Sequence, residues 1–170
     1  MRNISIRTAG EEDVDILLDY VTALRAERLS TIFRFDTAPT RDEEIEFVRQ
    51  FEQPGSKLYV ALDGERAIGN IGIRAGAHPQ TRHVGTIGIS VLAPYRNQGV
   101  GSRLLDAAID WAGTARLNRL ELEVLANNPL ARRLYERKGF VFEGCRKGAI
   151  AVDDGFVDAI ILAMRIDPAA

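Results

Sequence analysis

Residues 83–126 carry the order that most restricts the fold. A β-like run over 83–92 is followed by a glycine-bearing turn, Arg96-Asn97-Gln98-Gly99-Val100-Gly101-Ser102. A helix comes next, with Leu104, Leu105, Ala108, Ile109 and Ala112 on one side, and then a second strand from Arg119. In that strand Leu120, Leu122 and Val124 lie on one face and Glu121 and Glu123 on the other. Strand, helix and strand in this order require a parallel pair joined by a crossover.

The flanking segments read differently. Ile4-Ser5-Ile6-Arg7 alternates with period two, and Thr8-Ala9-Gly10-Glu11 has the spacing of a capping box ahead of a helical stripe, Val14, Leu17, Leu18, Val21 and Leu24. A second box, Thr40-Arg41-Asp42-Glu43, predicts a shorter helix through Ile45, Phe47, Val48 and Phe51, stopped by Pro54-Gly55. The runs 57–62, 66–75 and 83–92, the first two joined by Asp63-Gly64-Glu65, predict an antiparallel meander. After the crossover come a helix over 129–138, a run over 140–152, the turn Asp153-Asp154-Gly155 and a last strand over 156–166. The expectation is an α/β (α+β) chain with a mixed, mostly antiparallel sheet of seven strands and four helices in the order β-α-α-β-β-β-α-β-α-β-β.

Composition sets the outer bounds. The 170 residues, 46% of them hydrophobic, suffice for one core, and no repeat or linker interrupts the order, so residues 1–170 are expected to form a single domain. A formal charge of -2 gives no general attraction to nucleic acid or anionic lipid. One cysteine, Cys145, and two histidines, His78 and His83, exclude a disulfide framework and give no metal-ligand cluster. No leader-like apolar segment opens the sequence and no apolar run approaches the length of a membrane span, so a cytoplasmic location is expected.

The turn at 96–102 is suited to an anionic group, because its glycines let successive N–H groups converge and a helix N-terminus adds its positive dipole end. It is not a Walker A loop, since Gly101 is followed by Ser102-Arg103. Nor is it a dinucleotide fingerprint, which needs glycine or alanine where Leu104 stands. On the turn alone, a phosphate cradle and a merely tight strand-to-helix turn both remain open. In the segment 127–140, Asn128 is a good N-cap, Pro129 suits the first helical position and Gly139 the left-handed C-terminal one.

Taken together, Arg96-x-x-Gly99-x-Gly101 and Asn128-x-x-Ala131-x-x-Leu134-Tyr135-x-x-x-Gly139-Phe140 make the chain resemble the GCN5-related N-acetyltransferase (GNAT) superfamily over nearly its whole length. The resemblance implies the GNAT fold and direct transfer of an acetyl group from acetyl-CoA to a primary amine in a ternary complex, without a metal. It implies that Arg96, Asn97, Gln98, Gly99, Val100, Gly101 and Ser102 hold the pyrophosphate, and that the pantetheine arm bonds strand backbone near Ile89 and Val91, where two strands splay. Asn128 would bond the cofactor amide as well as cap its helix, and Tyr135 would be the general acid that protonates the departing thiolate.

The run Gly85-Thr86-Ile87-Gly88-Ile89-Ser90 has no carboxylate, although some relatives place a glutamate on this strand. Glu123 acting through water is the candidate base, against the alternative of a solvated or arginine-paired glutamate; Ser90 is a candidate water holder. Cys145 reads as a small thiol rather than an acyl carrier.

For the acceptor, residues 11–46 hold eleven acids against four arginines, which suits a cationic amine but also an ordinary solvated helix face. Phe33 and Phe35, with Arg28 or Arg34 for a carboxylate, suit an amino acid. The stretch from Glu143 through Asp158 resembles branches acting on free amino acids, small amines or ribosomal-protein N-termini. A small amine or amino acid is therefore the expected acceptor, and the resemblance implies a homodimer paired through the C-terminal strands. The rival readings are an acyl-CoA sensor without turnover, an N-terminal peptide acetyltransferase and a nucleotide-binding module.

Overall fold

A computed structural model describes residues 3–29, 31 and 37–166. The elements are β1 (Ile4–Thr8), α1 (Val14–Ala26), α2 (Arg41–Arg49), β2 (Lys57–Asp63), β3 (Arg66–Ala75), β4 (Val84–Val91), α3 (Val100–Thr114), β5 (Arg119–Leu125), α4 (Pro129–Arg137), β6 (Val141–Val152) and β7 (Gly155–Arg165). Short 3₁₀ turns precede α1 and follow β4. The seven strands form one sheet in the order β1-β2-β3-β4-β5-β7-β6, and every neighbouring pair is antiparallel except β4 with β5. This is the predicted element order and the predicted parallel crossover.

Alternation along β4 assigns the two faces of the sheet. Ile89 and Val91 point toward α3 and α4, since a Cβ built on Gly101 of α3 would lie 3.9–4.0 Å from both side chains and 3.3 Å from Leu134 Cδ2. Ser90, one residue out of phase, points the other way and bonds Tyr20 of α1. The core fills both sides. Val14, Leu17, Tyr20, Leu24, Val48 and Phe51 come from the α1 and α2 side, and Leu104, Leu105, Ala108 and Ala112 from α3.

The second capping box forms as expected. Thr40 Oγ1 accepts from Glu43 N–H at 3.3 Å, and Glu43 Oε2 accepts from Thr40 N–H at 2.7 Å. The first is displaced by two residues: Gly10, not Thr8, is the N-cap, and its N–H donates to Asp13 Oδ2 at 3.1 Å. Charge pairing explains the shift. Asp13 is held by a two-pronged contact from Arg7 at 2.6 and 2.7 Å, while Glu11 is drawn across to Arg49 at 2.6 Å.

The Arg7 guanidinium and the Gly10 N–H hold the buried Asp13 carboxyl below the usual carboxylate range, against the opposing effect of burial. A carboxyl depressed in the folded state contributes stability above its unfolded pKa and loses it as pH falls through the folded one. Asp13→Asn is therefore expected to lower the urea midpoint at pH 7. The gap to the parent should narrow steadily below about pH 4, and a gap independent of pH would contradict the assignment.

Candidate active site

The site begins at a defect in the sheet. β4 and β5 pair only where Val84, Gly85 and Thr86 face Arg119, Leu120 and Glu121. Beyond that point each strand keeps its other neighbour, β3 for β4 and β7 for β5, and the two diverge. Gly76 N–H donates to Val84 O and Leu92 N–H to Ile68 O, so the even-numbered residues of β4 spend their main-chain groups on β3. The main-chain groups of Ile87, Ile89 and Val91 therefore face the opening, like those of an unpaired edge. Ile89 and Val91, the two positions named from the resemblance, are among the residues whose main chain turns to the opening. Val91 contributes only its N–H there, because its carbonyl already accepts from Arg96 Nε at 2.8 Å.

At the open end stands the N-terminus of α3. Asn97 and Gly99 adopt left-handed conformations, with φ of 58° and 81°. A glycine is needed at the second position because the chain reverses there into the helix. The first intrahelical bond runs from Arg103 N–H to Gly99 O at 3.0 Å, and the N-cap Gly99 has no side chain to offer, so the N–H groups of Val100, Gly101 and Ser102 have neither a helical carbonyl nor a cap among the described residues. Gln98 braces the turn by donating from Nε2 to Pro94 O at 2.6 Å. The result is three converging donors at the positive end of a 15-residue helix, which fits a doubly charged pyrophosphate.

Helix α4 presents Tyr135. At its start Asn128 Oδ1 accepts from Ala131 N–H at 3.2 Å, with Pro129 at the first helical position. At its end Gly139 takes a φ of 96°, Gly139 N–H donates to Glu136 O and Phe140 N–H to Tyr135 O, which is a Schellman closure. That closure turns Phe140 back onto Tyr135 with the rings edge to face at 6.1 Å. The Tyr135 ring is buried, and its hydroxyl makes no hydrogen bond among the described residues. Among those residues no fully buried side-chain polar atom lacks a partner, so the Tyr135 hydroxyl reaches an accessible surface. Burial alone pushes the phenol up to about 12.

The opposite face of the opening gathers different chemistry. Thr86 and Glu121 are in register, so Thr86, Gly88 and Ser90 share a face with Glu121 and Glu123. Tyr20 Oη and Ser90 Oγ lie 2.7 Å apart, and Ser90 Oγ donates to Asn70 Oδ1 at 3.2 Å. Nothing lies within 4 Å of a Cβ built on Gly88, which leaves that part of the face open. Glu123 Oε2 accepts from Arg146 Nη2 at 2.9 Å, the arginine pairing weighed from the sequence, and Oε1 has no hydrogen bond among the described residues. Asn128 Nδ2 donates to Thr31 O at 3.1 Å, so the group expected to reach a cofactor amide is here bonded to Thr31.

Arg28, exposed with a φ of 48°, turns the chain out of α1. Phe33, Arg34 and Phe35 lie outside the described residues. Cys145 is exposed on β6, its Sγ 3.5 Å from Asp158 Oδ2. The His83 carbonyl accepts from Asn118 and Arg119 at the closed end of the opening. The Tyr20–Ser90–Asn70 chain and an ion pair between Glu27 and Arg96 were missed from the sequence; their partners lie 20 to 70 positions apart, and no local pattern marks such pairs.

Comparison with known proteins agrees with this architecture. A profile of the Acetyltransferase (GNAT) family matches residues 22–140. L-amino acid N-acetyltransferase AaaT of Escherichia coli (strain K12) is 33% identical over 117 residues, covering 68% of this chain and 72% of that protein. The ribosomal protein bS18 alanine N-acetyltransferase of the same organism is 40% identical over 78 residues, 46% of this chain and 53% of that one. A GNAT-family acetyltransferase from Streptococcus pneumoniae superposes with a TM-score of 0.89 at 27% identity, over 97% of this chain and 100% of that one. The structure of yncA from Salmonella typhimurium, solved with its cofactor acetyl-CoA, has the same fold, with a TM-score of 0.87 at 16% identity over 99% and 96% of the two chains.

Proposed function

Because the chain belongs to the Acetyltransferase (GNAT) family, we propose that it moves an acetyl group from acetyl-CoA directly to the primary amine of an amino acid or related small amine. The observation that carries this reading is that the start of α3, whose first three N–H groups have no partner among the described residues, lies against Ile89 and Val91 of the outward-facing edge of β4 and against Leu134, the neighbour of Tyr135. Acetyl-CoA supplies an acyl group activated as a thioester. The N–H groups of Val100, Gly101 and Ser102 take the pyrophosphate, with Asn97, Gln98 and Gly99 shaping the turn, and Ile89 and the Val91 N–H take the amides of the arm.

Tyr135 gives its proton to the departing thiolate. A phenol at about 12 stays protonated at any working pH. Burial disfavours the thiolate as it does the phenolate, so the gap between them remains close to that of the free groups, about 1.5 pKa units. Glu123, through its free Oε1 and a water, receives the amine proton, and Ser90 holds that water from the neighbouring strand. Arg28, exposed at the exit of α1, is assigned to the carboxylate of an amino-acid acceptor.

The amino-acid class is favoured by the likeness to an L-amino acid N-acetyltransferase, the longest of the sequence matches described above. The 40% identity to an enzyme acting on ribosomal protein bS18 carries a second reading, acetylation of a peptide N-terminus. The proposal includes a cytoplasmic location, where acetyl-CoA is drawn on. It also includes a homodimer formed at the C-terminal strands, where the exposed Val141 and Phe142 mark the outermost strand of the sheet.

The test is thiol release from acetyl-CoA across L-amino acids, polyamines, aminoglycosides and N-terminal peptides. Release with at least one amino acid is expected. Release with peptides alone selects the second reading, and coenzyme A uptake without release on any acceptor would make the protein a sensor and overturn the transfer.

A further inference from the structure

The C-terminus of α1 is tied to the donor side of the site by one carboxylate. Glu27 Oε1 accepts from Ala93 N–H at 2.8 Å, at the end of β4. Glu27 Oε2 accepts from Arg96 Nη2, and Arg96 Nε in turn donates to Val91 O at 2.8 Å. Arg96 N–H also closes the intervening turn onto Ala93 O. The ion pair is largely covered, with the Glu27 side chain 18% exposed and that of Arg96 33%. Three pieces of the chain thus meet on it: the end of the α1 helix, the outward-facing edge of β4 and the first residue of the turn that leads into α3.

Arg28 turns out of the helix directly after Glu27, and Thr31, four residues beyond Glu27, is held by Asn128 at the start of α4. Arg96 Nε is committed to Val91 O and Nη2 to Glu27, which ties the guanidinium to β4 and to the end of α1.

We infer that Glu27 is a positioning residue for the acyl donor: by holding Arg96 against Val91 it fixes the shape of the 96–102 turn, so that the pyrophosphate is met by main-chain N–H groups and not by the Arg96 guanidinium. Arg96, grouped with the cofactor-binding residues by resemblance, then acts through the shape of the turn. This inference rests on the proposed donor site.

The test uses calorimetric titration of the full chain with coenzyme A and, separately, with pantetheine, which lacks the pyrophosphate and nucleotide. Glu27→Gln is expected to weaken coenzyme A at least tenfold, to leave pantetheine within twofold, and to cost nothing further in an Arg96→Gln background. Equal loss for both ligands would reduce Glu27 to a structural role and overturn the inference. So would unchanged coenzyme A binding. Tighter coenzyme A binding in Glu27→Gln would show that a released Arg96 grips phosphate directly, which also overturns it. Should Glu27→Gln not fold, Arg96→Lys carries the same test, since an ammonium cannot reproduce the two-pronged contact; the same selective loss is expected, and its absence contradicts the inference. Failure of the unaltered protein to take up coenzyme A would instead remove the donor site itself, and this inference with it.

Discussion

Tyr135→Phe is expected to lower kcat by about 10²–10⁴-fold, the range for loss of a general acid, while the dissociation constant for coenzyme A stays within about twofold. The substitution isolates the proton. The ring keeps its edge-to-face packing on Phe140, and the hydroxyl gives up no hydrogen bond among the described residues, so the fold loses little with it. The pH dependence makes the assignment sharper. With the phenol at about 12, its proton is present throughout the working range. The parent rate should therefore rise with pH as the acceptor amine loses its proton and then level off, without a falling limb below about pH 11. Equal rates for parent and variant would remove Tyr135 from the reaction. A falling limb near neutrality in the parent that vanishes in the variant would mean that the acid is far less basic than its burial requires.

Gly99→Val should act on the other end of the donor. No atom lies within 4 Å of a Cβ built on Gly99, so the added side chain has room. The penalty lies in the backbone, because a β-branched residue at a φ of 81° is an outlier and left-handed geometry costs roughly 1–2 kcal/mol for any L-residue. The turn relieves that strain by relaxing, and the N–H groups of Val100, Gly101 and Ser102 lose their common aim. Coenzyme A affinity is expected to fall by about 50-fold or more, more than the backbone cost alone converts to, because several charge-assisted bonds are weakened together. The melting temperature should drop by only a few degrees, as roughly 1–2 kcal/mol implies for a chain of this size. Undiminished binding would place the pyrophosphate elsewhere.

How far these features could be read beforehand depends on how local their causes are. Capping and closure of α4 were legible because Asn128, Pro129 and Gly139 act within a few residues of themselves, and the parallel pair followed from the strand-helix-strand order alone. The Thr40 box was legible for the same reason. The Thr8 box failed because the choice between two neighbouring caps was made by Arg7 and Arg49, and the second of these comes from another helix. The same holds for Glu27, whose partners Ala93 and Arg96 are 66 and 69 positions away, and for Tyr20, whose hydroxyl meets Ser90 only once α1 lies on the sheet. Tyr135 was found through a resemblance. Its chemical standing, a buried ring with an accessible hydroxyl, follows from packing by Phe140 that only the folded chain displays.

The central claim is that one donor molecule reaches from the main-chain amides of α3 to the phenol of α4 along the unpaired edge of β4. A crystal structure of the complex with acetyl-CoA tests it most directly. The account predicts pyrophosphate oxygens on the N–H groups of Val100, Gly101 and Ser102, and the thioester sulfur within hydrogen-bonding reach of Tyr135 Oη, directly or through one water. A pyrophosphate bound away from the start of α3, or a sulfur on the far side of the opening from that hydroxyl, would contradict it.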